Sequence, residues 1–275
     1  MTLTSPKILA IFLSLFILTT SLSAQQIIKL KRFHKALWTV NITMKGKTGN
    51  FLFDTGGGVT LVTKKFAEGM DCHFWGRSTG YNMFGKRGDG PHCDNVALSA
   101  GDVALTPVNI GTIDFSSWFE DGDKLSGLLS LDAFDGKAIT IDQQATTVII
   151  ETDQSLKKRV RSMKELPLRV ARECSARCLA AFLGVHTSEG MTWLNIDTGA
   201  GGVSLISNDH AKIFGLEADK KEQSINFPLG NDVTIGGPVM LADMIMDGNL
   251  GQPFLSRYVI TIDLKNSRIW FAPSA

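Results

Sequence analysis

The 275-residue chain has little net charge: 28 Lys and Arg stand against 27 Asp and Glu, a formal balance of +1. That balance gives no footing for a nucleic-acid partner. It has no apolar run long enough to span a bilayer, which takes about 20 residues. The longest such run, 8–18, follows Lys7 and precedes the small and polar residues 19–24. This is the pattern of an export signal cleaved near Ala24 or Ser23, leaving no stable membrane insertion and no cysteine at the new N-terminus for a lipid anchor. The five histidines (His34, His73, His92, His186 and His210) show no metal-ligand spacing, and no Ser-His-Asp or Cys-His grouping has local support. Neither a metal nor a cofactor is expected.

Cysteines are few: Cys72, Cys93, Cys174 and Cys178. In an exported chain they are expected as disulfides. The favoured pairing joins Cys72 to Cys93 at the base of a long loop and Cys174 to Cys178 across a turn. A zinc site from Cys72-His73 and His92-Cys93 is the rival, disfavoured because adjacent residues on a strand point to opposite faces.

Against these absences stands a repeat. Asp-Thr-Gly occurs at Asp54-Thr55-Gly56 and again at Asp197-Thr198-Gly199. Each copy ends an apolar run, Phe51-Leu52-Phe53 or Leu194-Asn195-Ile196, and leads through glycine to a β-branched stretch. The repeat goes further. Gly127-Leu128-Leu129 and Gly248-Asn249-Leu250 are 248 − 127 = 121 apart, and at that offset Ile139-Thr140-Ile141-Asp142 falls on Ile260-Thr261-Ile262-Asp263. Each half thus reads as strand, turn, strand ending in Asp-Thr-Gly, variable middle, apolar Gly-containing loop, strand pair. Duplicated halves of this kind imply two lobes about a pseudo-two-fold axis. Asp142 and Asp263 are read as turn caps.

The middles differ in length: 127 − 54 = 73 residues in the first half, 248 − 197 = 51 in the second. The excess includes 76–90, rich in glycine and polar residues, with Trp75 and Tyr81 nearby. It reads as a mobile loop placed to serve as a lid, with Tyr81 first and Trp75 second as lid residues.

Short alternating and β-branched runs dominate, separated by Gly, Asn and Asp turns. Helical patterns are confined to 63–70, 208–214 and 153–163. The fold class is therefore all-β: two similar lobes, each a small, partly closed barrel, with the cleft between them. The expected organisation is a signal at 1–24, a first lobe at 25–153, a linker at 154–164 that includes the basic stretch after Leu156, and a second lobe at 165–275.

Phe53-Asp54-Thr55-Gly56 with Gly127-Leu128-Leu129, and Ile196-Asp197-Thr198-Gly199-Ala200 with Asn249-Leu250-Gly251, resemble the paired motifs of the retropepsin-like and pepsin-like aspartic proteases. The small lobes look closer to bacterial relatives of the retroviral enzymes than to pepsin. The resemblance implies an acid-protease fold and an aspartic endopeptidase in which Asp54 and Asp197 share a proton and activate water against a peptide bond. Thr55 and Thr198 would tie the two loops together, and Gly56 and Gly199 would let them approach. Both lobes lie in one chain, so a monomer acting on a peptide or protein substrate is expected. The chain departs from the family pattern where Gly57 and Ala200 follow the triplets without a hydroxyl, where Ser130 replaces a glycine, and where Asn249 replaces an aliphatic residue. Two other readings stand beside catalysis: a catalytically silent acid-protease fold that binds peptides or proteins, and a structural envelope protein without a cleft.

Overall fold

A computed structural model describes residues 25–274 except 35, 117, 119, 120, 175, 176 and 231. The expected export signal at 1–24 lies outside the described residues.

Two hydrophobic strands set the plan. Lys47–Phe53 and Gly190–Ile196 each end in three fully buried residues, Phe51-Leu52-Phe53 and Leu194-Asn195-Ile196. Continuous burial, in place of alternation, requires cover on both faces. Each strand has an antiparallel neighbour on one side, Leu37–Met44 or Ala180–Thr187, and a short parallel strand on the other. The parallel strands are the repeated apolar loops, Gly127–Leu129 beside 51–53 and Gly248–Leu250 beside 194–196. Each is also flanked by the strand that follows its Asp-Thr-Gly, Leu61–Thr63 or Ser204–Ser207.

The first lobe forms a 10-stranded sheet. The second lobe's strands continue into a 12-stranded sheet that crosses between lobes. At the crossing, Ala138–Asp142 pairs antiparallel with Tyr258–Asp263, and Thr140 sits opposite Thr261 with their hydroxyls 2.8 Å apart. The two sheets stay open, so the lobes are not closed barrels. Asp142 and Asp263 cap the turns after these strands: Asp142 Oδ1 accepts the N–H groups of Gln144 and Ala145, and Asp263 Oδ1 those of Lys265 and Asn266.

Helix is scarce. Residues 208–214 form two 3₁₀ turns, Asn208–His210 and Lys212–Phe214, not an α-helix. The basic stretch lies on the helix Asp153–Arg159, begun by a reciprocal Thr152–Ser155 cap and tied back to the strands by Arg159 pairing with Glu151. The next strand, Lys164–Ala171, starts within the expected linker.

The segment expected as a lid is a hairpin, not a loop. Trp75–Tyr81 pairs with Arg87–Asp94, and the sheet holds Arg87–Asp94 through Asn109–Ile113. Glycine supplies the positive φ at the turn, +71° at Gly85, and Asn82 Oδ1 accepts the N–H groups of Phe84 and Lys86. Polar residues on both exposed edges made this segment look unstructured; backbone pairing holds it without an apolar face. Its base carries the Cys72–Cys93 disulfide, and Cys174 is joined to Cys178. Among the described residues no group of three or more His, Cys, Asp or Glu is placed to hold a metal ion.

Candidate active site

The two Asp-Thr-Gly turns meet face to face. Asp54 N–H donates to Leu129 O and Asp197 N–H to Leu250 O, both at 3.0 Å, so each turn leaves its strand in the same way. Thr55 and Thr198 lock them together. Each backbone N–H donates to the other's hydroxyl at 3.0 Å, and each hydroxyl donates onward across the interface, Thr55 to Ile196 O and Thr198 to Phe53 O. All four groups are buried, so no water competes with them.

This lock brings the carboxylates together. Gly56 N–H donates to Asp54 Oδ1 at 2.9 Å, and Gly199 N–H to Asp197 Oδ1 at 2.8 Å. A Cβ on Gly56 would lie 2.5 Å from Asp197 Cγ, and one on Gly199 2.5 Å from Asp54 Cγ. Glycine is thus required here by the approach of the opposite acid, not by backbone angle. Asp54 and Asp197 are 6% and 5% exposed. Burial first, then the neighbouring Asp197, holds the Asp54 carboxyl well above the usual range, against the lowering effect of the Gly56 and Gly57 backbone. Two like groups this close in a dry setting keep one proton between them.

The symmetry fails at one point. In the first lobe Leu52 lies beside Leu128; at the same register in the second, Asn195 lies beside Asn249. Asn249 Nδ2 donates to Asp197 Oδ2 at 2.7 Å, and Asn195 Nδ2 donates to Asn249 Oδ1 at 2.9 Å. The missing hydroxyl at Ala200 is therefore replaced on Asp197's outer oxygen by an amide. No such replacement occurs at Asp54, where a Cβ on Gly57 would run into Leu128 Cδ2 at 2.6 Å. The sequence flagged Asn249 only as a departure. Overlaying the two repeats pairs Leu52 with Asn195 and Leu128 with Asn249, a double aliphatic-to-amide change that would have shown the pair.

Ser130, the other departure, lies under the first turn. Its N–H donates to Thr60 Oγ1, and Thr60 binds Asp132 through both its N–H and its hydroxyl. Asp132 is buried, and its carboxyl is pushed up to about 6 by desolvation despite the two bonds from Thr60.

The hairpin reaches from the first lobe to the second: Ile245 N–H donates to Met83 O at 3.0 Å, beside Gly85. Tyr81 ends its strand next to this turn, 65% exposed. Trp75 is at the opposite end. Its indole N–H donates to Asp94 and its ring lies 4.4 Å from His92, so it braces the hairpin base. Behind the hairpin, Arg177 comes within 3.4 Å of His92, and Leu179 N–H donates to Gly58 O. Arg177 and Leu179 thus lie between the hairpin and the first Asp turn.

No protein-family model matches the chain, and no curated protein matches it. Solved structures do. Conglutin gamma, a basic 7S globulin from lupine seeds, is similar over 90% of this chain and 94% of its own, with 12% identity and a TM-score of 0.57. The basic 7S globulin from soybean is similar over 91% and 95%, with 11% identity and a TM-score of 0.56. At that identity the likeness is one of fold. It supports a two-lobe, pepsin-like architecture and lends nothing to the closer kinship with bacterial retroviral-type enzymes that the small lobes suggest. The chain has an all-β, two-lobe fold of the acid-protease type.

Proposed function

We propose that the chain is an aspartic-type endopeptidase working through Asp54 and Asp197. The observation that carries this reading is the buried, glycine-spaced pair of carboxylates held by the Thr55–Thr198 lock. A water between the acids loses a proton to one carboxylate as its oxygen attacks the peptide carbonyl. The other acid gives its proton to the carbonyl oxygen, forming a neutral gem-diol. The first acid then protonates the amide nitrogen, the second takes back a hydroxyl proton, and the C–N bond breaks. Both acids return to their starting state, and no covalent intermediate forms. The hairpin joining the lobes at Met83 and Ile245 is suited to lie over an extended peptide. The leader pattern at 1–24 and the two disulfides support export, and the presence of both Asp-Thr-Gly turns in one chain supports a monomer.

A second reading is a fold that binds peptides or proteins without cutting them. The globulin neighbours favour it, since both are named as basic 7S globulins and neither as a hydrolase. One experiment separates the two. A denatured protein is incubated from about pH 3 to about pH 8 with wild type or Asp54→Asn, with and without a statine-type inhibitor. Cleavage lost in the variant and with inhibitor supports the endopeptidase. Absence of cleavage by folded wild type, with retention of peptide, supports the binding protein.

A further inference from the structure

The two acids differ in what stands behind them. A Cβ on Gly57 would lie 2.6 Å from Leu128 Cδ2 and 3.4 Å from Asp54 Cγ, so an aliphatic side chain stands near Asp54, while Asp197 faces an amide. Asn249 is fully buried and Asn195 is 3% exposed, so no solvent reorients either side chain. The direction of the chain is fixed by chemistry. Asn249 has to turn its NH₂ toward the carboxylate oxygen, since its carbonyl would repel it. Its Oδ1 then faces Asn195, which has to present its own NH₂ in turn. The result is Asn195 donating to Asn249 and Asn249 donating to Asp197 Oδ2. Asn195 Oδ1 is left buried without a hydrogen-bond partner, a cost that packing alone does not explain, because Leu52 and Leu128 fill the matching space in the first lobe.

Asp197 therefore accepts three N–H groups besides any bond to Asp54: Gly199 and Ala200 on Oδ1, Asn249 on Oδ2. Asp54 likewise takes backbone bonds from Gly56 and Gly57, but among the described residues no side-chain amide reaches it, so the difference between the two acids is the Asn249 bond. A donor already committed to an oxygen makes protonation of that carboxyl unfavourable. We propose that Asn249, oriented by Asn195, is a positioning residue that keeps Asp197 as the acceptor of the pair and assigns the shared proton to Asp54. Asp197 is then the group that takes the proton from water, and Asp54 the group that protonates the carbonyl oxygen. This rests on the endopeptidase reading for its catalytic meaning, though not for its structural content.

Few other charges bear on the site. The strand Gly190–Ile196, the short strand Gly248–Leu250, the strand Ser204–Ser207 and the helix Gln252–Leu255, which surround Asp197, contain no titratable residue. Asp54 faces it from the first lobe. Asp132 lies beneath the Asp54 turn on Thr60, and the Asp247–His210 pair sits beyond the far end of Gly248–Leu250, with Asp247 accepting Trp193 N–H.

The test is the double variant Asn195→Leu/Asn249→Leu, which rebuilds the first lobe's Leu52–Leu128 pairing in the second. Two readouts are taken on the mature protein: the pH profile of kcat/KM on a fluorogenic peptide, and the titration of ¹³C-carboxyl aspartate signals by NMR. Loss of one charge-assisted bond moves the acid limb of the profile up by about one to two pH units, with kcat reduced and KM little changed. The lowest-titrating carboxyl of the pair moves by the same amount. Asn249→Ala, which removes the donor without adding bulk, moves both in the same direction and serves if the double variant does not fold. An unmoved acid limb and unmoved carboxyl titration in a folded variant overturn the proposal. If the wild type cuts nothing, the endopeptidase reading falls, and the carboxyl titration alone still decides the role of Asn249.

Discussion

Thr55 and Thr198 exchange hydrogen bonds symmetrically, each N–H donating to the other's hydroxyl at 3.0 Å across the meeting point of the lobes. Each hydroxyl both accepts and donates, so it serves two buried backbone groups at once. Replacing Thr55 with Val keeps the shape but strands the Thr198 N–H and the Ile196 carbonyl. The expected cost is roughly 2 to 4 kcal/mol, read as a fall in the urea midpoint. Thr198→Val is expected to cost a similar amount, and the double variant less than the sum, because both changes break one network.

Gly56→Ala and Gly199→Ala test the approach of the acids. The new methyl would sit 2.5 Å from the opposite carboxyl carbon, so the turns have to separate. Each variant is expected to lose at least about a hundredfold in kcat/KM, since a displacement of about 1 Å costs that much. Gly57→Ala meets a Leu128 methyl at 2.6 Å and is expected to disturb packing before chemistry.

Asp132 makes stability depend on pH. Its carboxyl is raised to about 6 in the folded protein, from 3.8 when free. A raised acid binds its proton more tightly when folded, so its contribution is full below the free value and is lost as pH climbs from about 4 to about 6. The loss corresponds to about 3 kcal/mol. Asp132→Asn is expected to flatten that part of the stability curve: the Asn oxygen accepts the Thr60 N–H and its NH₂ donates to Thr60 Oγ1. Urea titrations at several pH values check it. The raised Asp54 carboxyl acts with the same sign.

On the endopeptidase reading, Asp54 also bears on where hydrolysis runs. A carboxyl held well above its usual range keeps its proton to a higher pH than a free one does, which moves the profile toward weakly acidic solution. The rate maximum is expected there, and a maximum below about pH 3 would contradict it.

The lid is tested at Gly85, which has φ +71° and lies against Ile245. Gly85→Ala strains the turn by about 1 kcal/mol and crowds the Met83–Ile245 contact. Faster amide exchange at Ile245 and a higher KM are expected, with kcat less affected.

Much of this arrangement was legible in the sequence, because a duplicated motif carries its own frame. The Asp-Thr-Gly copies, the apolar runs before them and the Ile-Thr-Ile-Asp pair all took up matching places. What escaped depends on partners distant in sequence. The 75–94 hairpin has no apolar alternation, since both its faces are largely exposed. Strand Val233–Ala242 is broken in appearance by Gly236-Gly237-Pro238, yet the sheet absorbs it through Pro253 packing on Gly237. Asn249 acquires meaning only from its neighbour Asn195, 54 residues away.

The pairing of Thr140 with Thr261 has one more consequence. Because the facing strands are near copies, Ile139-Thr140-Ile141-Asp142 against Ile260-Thr261-Ile262-Asp263, the edge that each half offers is complementary to itself. A first half produced alone carries a strand edge able to pair with a second copy about a true two-fold axis. Two Asp54 groups would then face each other, each backed by Leu128 and neither by an amide, and the choice of which acid holds the proton would disappear. Within one chain the halves can differ at positions such as Leu128 and Asn249, which is what the proposed division of duties between the two carboxylates needs.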